Sequence, residues 1–304
     1  MAADREGTHL TANRSWKLEL PRGRTLVLDR QPRVMGILNV TPDSFSDGGR
    51  WLAPEQAIAH GIQMVRDGAD MVDLGAESTR PGGGVYGEGA DHVSVSEELD
   101  RLLPVLEGLR REVDVPLSAD TRKGAVARAA LASGADLIND VGGLADPELV
   151  AAVAEAGCPV VIMHSRGELA SMQTGIHFED VSGEVMEELG QSFQFACAHG
   201  IDSDQIILDP GIGFGKTPRG NLLLLRELDR MSQLGRPMLV GASRKSFISQ
   251  VREAPPDARL GGSLAAAAWS VSSGVSILRV HDVAETRQFL DVWNAIDSAL
   301  AKRN

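Results

Sequence analysis

RVMGILNVTPDSFSDGG, residues 33–49, is an apolar run that stops abruptly in a loop dense with hydrogen-bonding groups. Val34, Met35, Ile37 and Leu38 lack helical spacing, and an apolar run this short suits a strand covered on both faces. Beyond it come Asn39, Thr41, Asp43, Ser44, Ser46 and Asp47, with Phe45 among them and Gly48 and Gly49 behind. A connector needs only a turn, so this much polar capacity points to a loop that meets a ligand.

The same pairing of apolar run and polar exit recurs at 70–74, 115–119, 136–138, 159–163, 205–208, 237–241 and 276–280, eight runs with the first. Amphipathic stretches between them, such as 54–67, 97–112, 122–133, 146–156, 179–199, 218–234 and 284–301, predict helices. Eight βα units predict an α/β chain folded as a (β/α)8 TIM barrel. Ahead of them, WKLEL and RTLVL alternate around Pro21-Arg22-Gly23 and predict a short N-terminal β-hairpin. A doubly wound sheet is the alternative, weakened by the count of eight and by the lack of a glycine fingerprint opening the first helix.

Composition narrows the function. The 304 residues are 43% hydrophobic and carry a net charge of −12, so one large core is affordable and the overall field repels phosphate backbones and anionic membranes. Neither nucleic acid nor membrane is an expected partner, and an anionic ligand requires a local basic cluster. Cys158 and Cys197 form no CxxC and have no His at metal-ligand spacing, which reads as free thiols in a reducing cytoplasm. No apolar run approaches the roughly 20 residues of a membrane span. Residues 1–14 are polar, mixed in charge and unlike a secretory signal; they read as a disordered extension before a single barrel domain, residues 15–304.

A barrel of this kind builds its site from the loops after the strands. Polar residues stand at those exits: Asn39, Asp73 with Glu77 to Gly82, Asp120-Thr121, Asn139-Asp140, Met163-His164, Asp209-Pro210-Gly211, Ser243-Arg244-Lys245 and Arg279-Val280-His281. Asp120, Asn139 and Asp209 end three strands and would converge on ligand donors, such as the edge of an amino-pyrimidinone. The bland reading makes Asp120 the cap of the helix that follows. Opposite them, Arg80, Arg244, Lys245, Arg279 and His281 form a positive set, with Arg279 and His281 on one strand face. A phosphate or diphosphate fits that set, although a Ser-Arg-Lys at a helix start is by itself often only solvated. Asn39 and Asp47 offer oxygens to a hard cation such as Mg2+, unless Asn39 is a turn residue. Phe45 is either a scattered surface aromatic or part of a lid. The segment DPGIGFGK, 209–216, looks like a glycine-rich phosphate loop but lacks Walker spacing, and no covalent nucleophile motif is present. Dissociation of a diphosphate leaving group, driven by positioning and electrostatics, fits these parts.

NVTPDSFSDGG, ESTRPG, DTRK, ND, MH, DPGIGFGK, GASRK and RVHD, in this order, resemble the dihydropteroate synthase family of folate biosynthesis, the target of sulfonamides. The resemblance covers residues 33–300. It implies that 6-hydroxymethyl-7,8-dihydropterin diphosphate and p-aminobenzoate condense to 7,8-dihydropteroate, releasing diphosphate, in a homodimer. By position, Asp120, Asn139, Met163, Asp209, Phe214 and Lys245 would hold the pterin, the acids, Asn139 and Lys245 also serving catalysis. Asn39, Arg80, Arg279 and His281 would bind diphosphate, with Mg2+ on Asn39 and Asp47. Phe45, Thr79, Pro81 and Ser243 would shape the aminobenzoate pocket. A glycine-rich insertion, residues 83–92, departs from the family pattern and is either a substrate-facing loop or a solvated one. A pterin-dependent methyltransferase and a silent pterin-binding paralogue are the competing readings.

Overall fold

The computed structural model describes residues 15–40, 54–77, 93–167 and 172–301. Strands β1 (Trp16–Leu20) and β2 (Arg24–Leu28) pair antiparallel, Leu18 opposite Leu26, and form the expected hairpin. Eight further strands follow: β3 (Arg33–Asn39), β4 (Met71–Gly75), β5 (Leu117–Asp120), β6 (Leu137–Asp140), β7 (Val160–Met163), β8 (Ile206–Asp209), β9 (Leu239–Val240) and β10 (Ile277–Val280). They are parallel, in the order β8-β7-β6-β5-β4-β3-β10-β9, and a parallel bridge from Leu208 to Met238 joins the two ends. The barrel is therefore nearly closed, with the strands where the sequence predicts them.

Helices α1 (Pro54–Arg66), α2 (Val95–Glu112), α3 (Gly124–Ser133), α4 (Pro147–Ala156), α5 (Val181–Ala198), α6 (Pro218–Arg226), α7 (Leu228–Met231), α8 (Ser246–Val251), α9 (Leu260–Ser272) and α10 (Val283–Ala301) surround it. Three features differ from expectation, the first being the short helix α8, which no amphipathic stretch announces. The stretch 218–234 breaks at Glu227, whose ψ of 22° leaves the helical range. Helix α9, LGGSLAAAAWSVS, was not predicted, because small residues all round give it no apolar stripe to read. None of the described helices is long and apolar enough to cross a membrane.

The strand period of two sorts the core into two sets. Val34, Leu38, Val72, Leu74, Ile138, Ile162, Leu208 and Leu278 pack outward beneath the helices. Their alternates Met35, Met71, Leu137, Val161, Ile207, Leu239 and Ile277 face inward and join Leu18, Leu20, Leu26 and Leu28 of the hairpin. The hairpin thus plugs the N-terminal end of the barrel. Polar bonds fasten it there: buried Asp136 accepts from Arg22 Nη2 at 2.6 Å, from Arg110 Nη1 at 2.9 Å and from Arg24 Nη2. Two residues further along those inward faces come Ile37, Asp73, Asn139, Met163, Asp209, Gly241 and Arg279. One step along the barrel axis therefore changes the interior from apolar to largely polar.

Candidate active site

Arg279 on β10 ties the polar interior together. Its Nε donates to Asp73 Oδ2 at 2.6 Å and its Nη2 to Asp120 Oδ2 at 2.6 Å, while Asn139 Nδ2 donates to the same Asp73 oxygen at 2.9 Å. A carboxylate only accepts, so Asp73 claims the NH2 of Asn139 and leaves its carbonyl oxygen for another donor. Asp73 Oδ1 and Asp120 Oδ1 are buried with no donor among the described residues. An unpaired buried carboxylate oxygen is costly, which makes this edge a receptor for N–H groups.

The capping reading of Asp120 fails. Helix α3 has no side-chain cap of its own, and Gly124 N donates instead to Asp146 Oδ2 at 2.7 Å. Thr121 and Lys123, the neighbours of Asp120, are also bound elsewhere, to Glu98 at 2.6 Å each. Asp140 binds Gly142 N and Leu144 N, so it shapes its own loop.

Asp209 stands across the mouth with Oδ1 accepting from Gly211 N at 2.7 Å. Val141, Met163, Met172 and Phe214 form a buried apolar wall, and Lys245 Nζ lies 4.1 Å from the centre of the Phe214 ring. Acceptors on one edge, an apolar wall and one cation make a slot for a flat heterocycle rich in donors. His281 N and Nδ1 sit 3.2 and 3.1 Å from Ser243 Oγ, which pins Ser243 to β10's exit.

Burial sets the charges. It pushes the Asp120 carboxyl up to about 7 against the pull of Arg279, and raises Asp209 as well. It lowers Lys245 to about 8, helped by the Arg279 cation. For Arg279 burial also opposes charge, but Asp73 and Asp120 outweigh it and hold the guanidinium protonated. His281 falls to about 4 through burial and then Arg279, so it is a neutral imidazole at pH 7.

The positive set is therefore smaller than expected. Arg244, at φ 57°, turns its side chain to Asp282, with Nε 3.1 Å from Oδ2. Lys245 and Arg279 are the cations at the mouth among the described residues. Asn39 is exposed at the end of β3. Phe45, Asp47, Thr79, Arg80, Pro81 and the insertion 83–92, like the extension 1–14, lie outside the described residues. No group of three His, Cys, Asp or Glu gathers to hold a metal among the described residues. Asp73, which stands at a strand exit without a role of its own in the sequence reading, accepts from both Arg279 and Asn139. Its signal was an acid at an inward position of the otherwise apolar MVDLG.

Residues 35–281 match the family described as pterin binding enzyme. A dihydropteroate synthase of Synechocystis sp. is 43% identical over 280 residues, 91% of this chain and 94% of that protein. The Xanthomonas albilineans dihydropteroate synthase solved with 4-aminobenzoic acid superposes with a TM-score of 0.85 at 46% identity, covering 93% of this chain and 99% of that one. The same enzyme in complex with 7,8-dihydropteroate gives 0.81 at 43% identity, over 92% and 98% of the two chains. The chain therefore belongs to the dihydropteroate synthase family of pterin-binding enzymes.

Proposed function

We propose that the protein condenses 6-hydroxymethyl-7,8-dihydropterin diphosphate with p-aminobenzoate to give 7,8-dihydropteroate and diphosphate. The observation that carries this reading is the acceptor row of Asp120, Asn139 and Asp209 at the strand ends, together with the apolar wall of Met163 and Phe214 and the Lys245 cation on the Phe214 ring. The acids and the Asn139 carbonyl accept from the amino-pyrimidinone edge, and Lys245 donates to the ring oxygen. Arg279, His281, Asn39 and Arg80 take the diphosphate, His281 as a neutral donor. Phe45, Thr79, Pro81 and Ser243 border the aminobenzoate.

In the reaction, the bond from the pterin methylene carbon to the diphosphate oxygen breaks, and its electron pair leaves with diphosphate. The ring-delocalised cation is stabilised by Asp120 and Asp209, while Arg279 meets the charge on the leaving group. The arylamine nitrogen then attacks the methylene and sheds a proton. No covalent enzyme intermediate is needed, so the rate rests on alignment and preset charge.

Mg2+ belongs to this proposal. Asn39 offers a hard oxygen at the mouth, and with Asp47 it would hold the cation together with substrate oxygens. When bound, it would neutralise charge on the diphosphate. We also propose a homodimer, supported by exposed Trp269 on α9 with Val292 and Ile296 on α10, and a cytoplasmic location, supported by soluble substrates.

The test is formation of dihydropteroate by purified protein from both substrates and Mg2+, with a sulfonamide as an aminobenzoate mimic in a parallel arm. No product, with pterin still bound, would overturn the reading in favour of a methyltransferase or a silent binder.

A further inference from the structure

Behind the loop that leaves β8 lies a second buried cluster. Lys216 ends the segment DPGIGFGK and is 2% exposed. Its Nζ is 2.9 Å from Phe214 O, 3.0 Å from His164 Nδ1 and 3.4 Å from His164 O. Across the imidazole, His164 Nε2 is 2.9 Å from Glu188 Oε2, and Arg166 Nε donates to both oxygens of Glu188 at 3.0 and 3.2 Å. The carboxylate can only accept, so Nε2 carries the imidazole hydrogen and Nδ1 turns its lone pair to Lys216. Lys216 thus meets three acceptors, the arrangement that occupies all three donors of an ammonium. Burial holds His164 neutral, its pKa lowered to about 3, and brings Lys216 down to about 7.

What the ammonium touches is the turn between two pocket residues. Gly211, at φ 67°, runs so close that a Cβ there would lie 1.9 Å from His164 O and 3.3 Å from Lys216 Nζ. Gly211 N in turn donates to Asp209 Oδ1 at 2.7 Å, and Phe214 N donates to Gly211 O at 3.1 Å. Asp209 and Phe214 are both set by backbone that packs on this cluster.

We propose that Lys216, fixed by His164 and Glu188, is a positioning residue of the pterin pocket, its ammonium holding the turn that carries Asp209 and Phe214 and placing positive charge near the Asp209 carboxylate. This rests on the functional reading above. The glycine-rich segment is then a cradle for its own lysine, not for a phosphate, because the ammonium is bound to two carbonyls and an imidazole.

The charge can be separated from the packing. Lys216, Lys245 at the start of α8 and Arg279 on β10 face Asp209 and lower its pKa against burial. His164, Arg166, Glu188, Asp209 and Lys245 face Lys216. Two variants, Lys216→Met and Lys216→Gln, are examined by calorimetry with 6-hydroxymethylpterin from about pH 5 to 9, and by kcat and KM for each substrate. Lys216→Met is expected to raise the KM for pterin diphosphate about tenfold while that for aminobenzoate stays within about twofold. The acid limb of pterin binding carries two carboxylates: its Asp120 step is expected to stay in place, and its Asp209 step to move up by about half a pH unit, because Asp209 has lost a cation. Lys216→Gln keeps donors without charge, so it recovers part of the KM yet retains the shifted limb, and it carries the test where the Met variant does not fold. An Asp209 step unmoved in Lys216→Gln, or equal rises in both KM values, overturns the inference. A wild-type protein that binds no pterin sinks the functional reading and this one with it.

Discussion

Asp73→Asn keeps the volume of the side chain and removes charge where residues from β4, β5, β6 and β10 meet. Asp73 is fully buried, and its Oδ2 takes both the 2.6 Å bond from Arg279 and the 2.9 Å bond from Asn139. Arg279 keeps Asp120, so the loss is one charge-assisted hydrogen bond, about 1.5–3 kcal/mol, and not the about 3–5 kcal/mol of a stranded ion. With an unfolding entropy of about 0.6 kcal/mol/K for a chain of this size, Tm should fall by roughly 2–5 °C. A second loss falls on the ligand. An amide at 73 can donate as well as accept, so Asn139 is no longer obliged to present its carbonyl to the pocket. Loss of that acceptor is worth about 1–3 kcal/mol, or roughly 5- to 150-fold in pterin Kd. Asp120 is pushed up partly by Asp73, after burial, so the comparison belongs at about pH 8, where its carboxylate is ionised in both proteins. Scanning calorimetry and titration with 6-hydroxymethylpterin measure the two effects. A Tm within about 1 °C of wild type together with a Kd within about twofold would refute the reasoning.

Lys245→Ala should lower kcat by more than about tenfold, since it removes a buried cation from the slot; near-normal turnover would cancel its assigned role. The pH profile of kcat/KM for pterin diphosphate should be a narrow bell, rising as Asp120 ionises near 7 and falling as Lys245 loses its proton near 8; a flat profile from about pH 6 to 9 counts against both assignments. The same Asp120 shift has a stability sign: its folded pKa lies above the unfolded one, so the native state holds the extra proton between about 4 and 7, and stability falls as pH rises through that window. Asp136→Ala should cost about 2–4 kcal/mol, less than a fully buried ion cluster because Arg22 and Arg24 reach solvent. It should expose the hairpin to limited proteolysis without changing pterin Kd, and protease resistance equal to wild type would deny the clamp.

The barrel was legible because a parallel strand under helices writes itself as a short apolar run, and each of these runs empties into polar residues. The same signal does not say which way a side chain turns. Arg244 and Lys245 are adjacent in sequence, yet a left-handed φ at Arg244 sends its guanidinium to Asp282 while Lys245 faces Phe214. The place of His281 beside Arg279 suggests a cation, and burial next to that same arginine is what neutralises it. Helix α9 offered no stripe, and His164, which faces Lys216 with its ring and its carbonyl, is 52 residues away in the chain. Each of these depends on long-range packing, which the local period does not record.

What the period does record divides the barrel by function. On the inward face, Met35, Met71, Leu137, Val161, Ile207, Leu239 and Ile277 bury the hairpin, and the next inward residues include Asp73, Asn139, Asp209 and Arg279. Apart from Ser118, the β5 residue beside Leu137, the first layer is made of apolar side chains, so its worth is burial, about 25 cal/mol per Å2 removed from water. The second layer pairs charges in a place where each charge alone would be unfavourable, so its members hold one another in position. Stability and recognition are thus coupled in the upper layer and separate in the lower one. The plugged end lets the mouth carry buried acids: it closes the far end of the barrel to water, and the polar layer rests on an apolar floor.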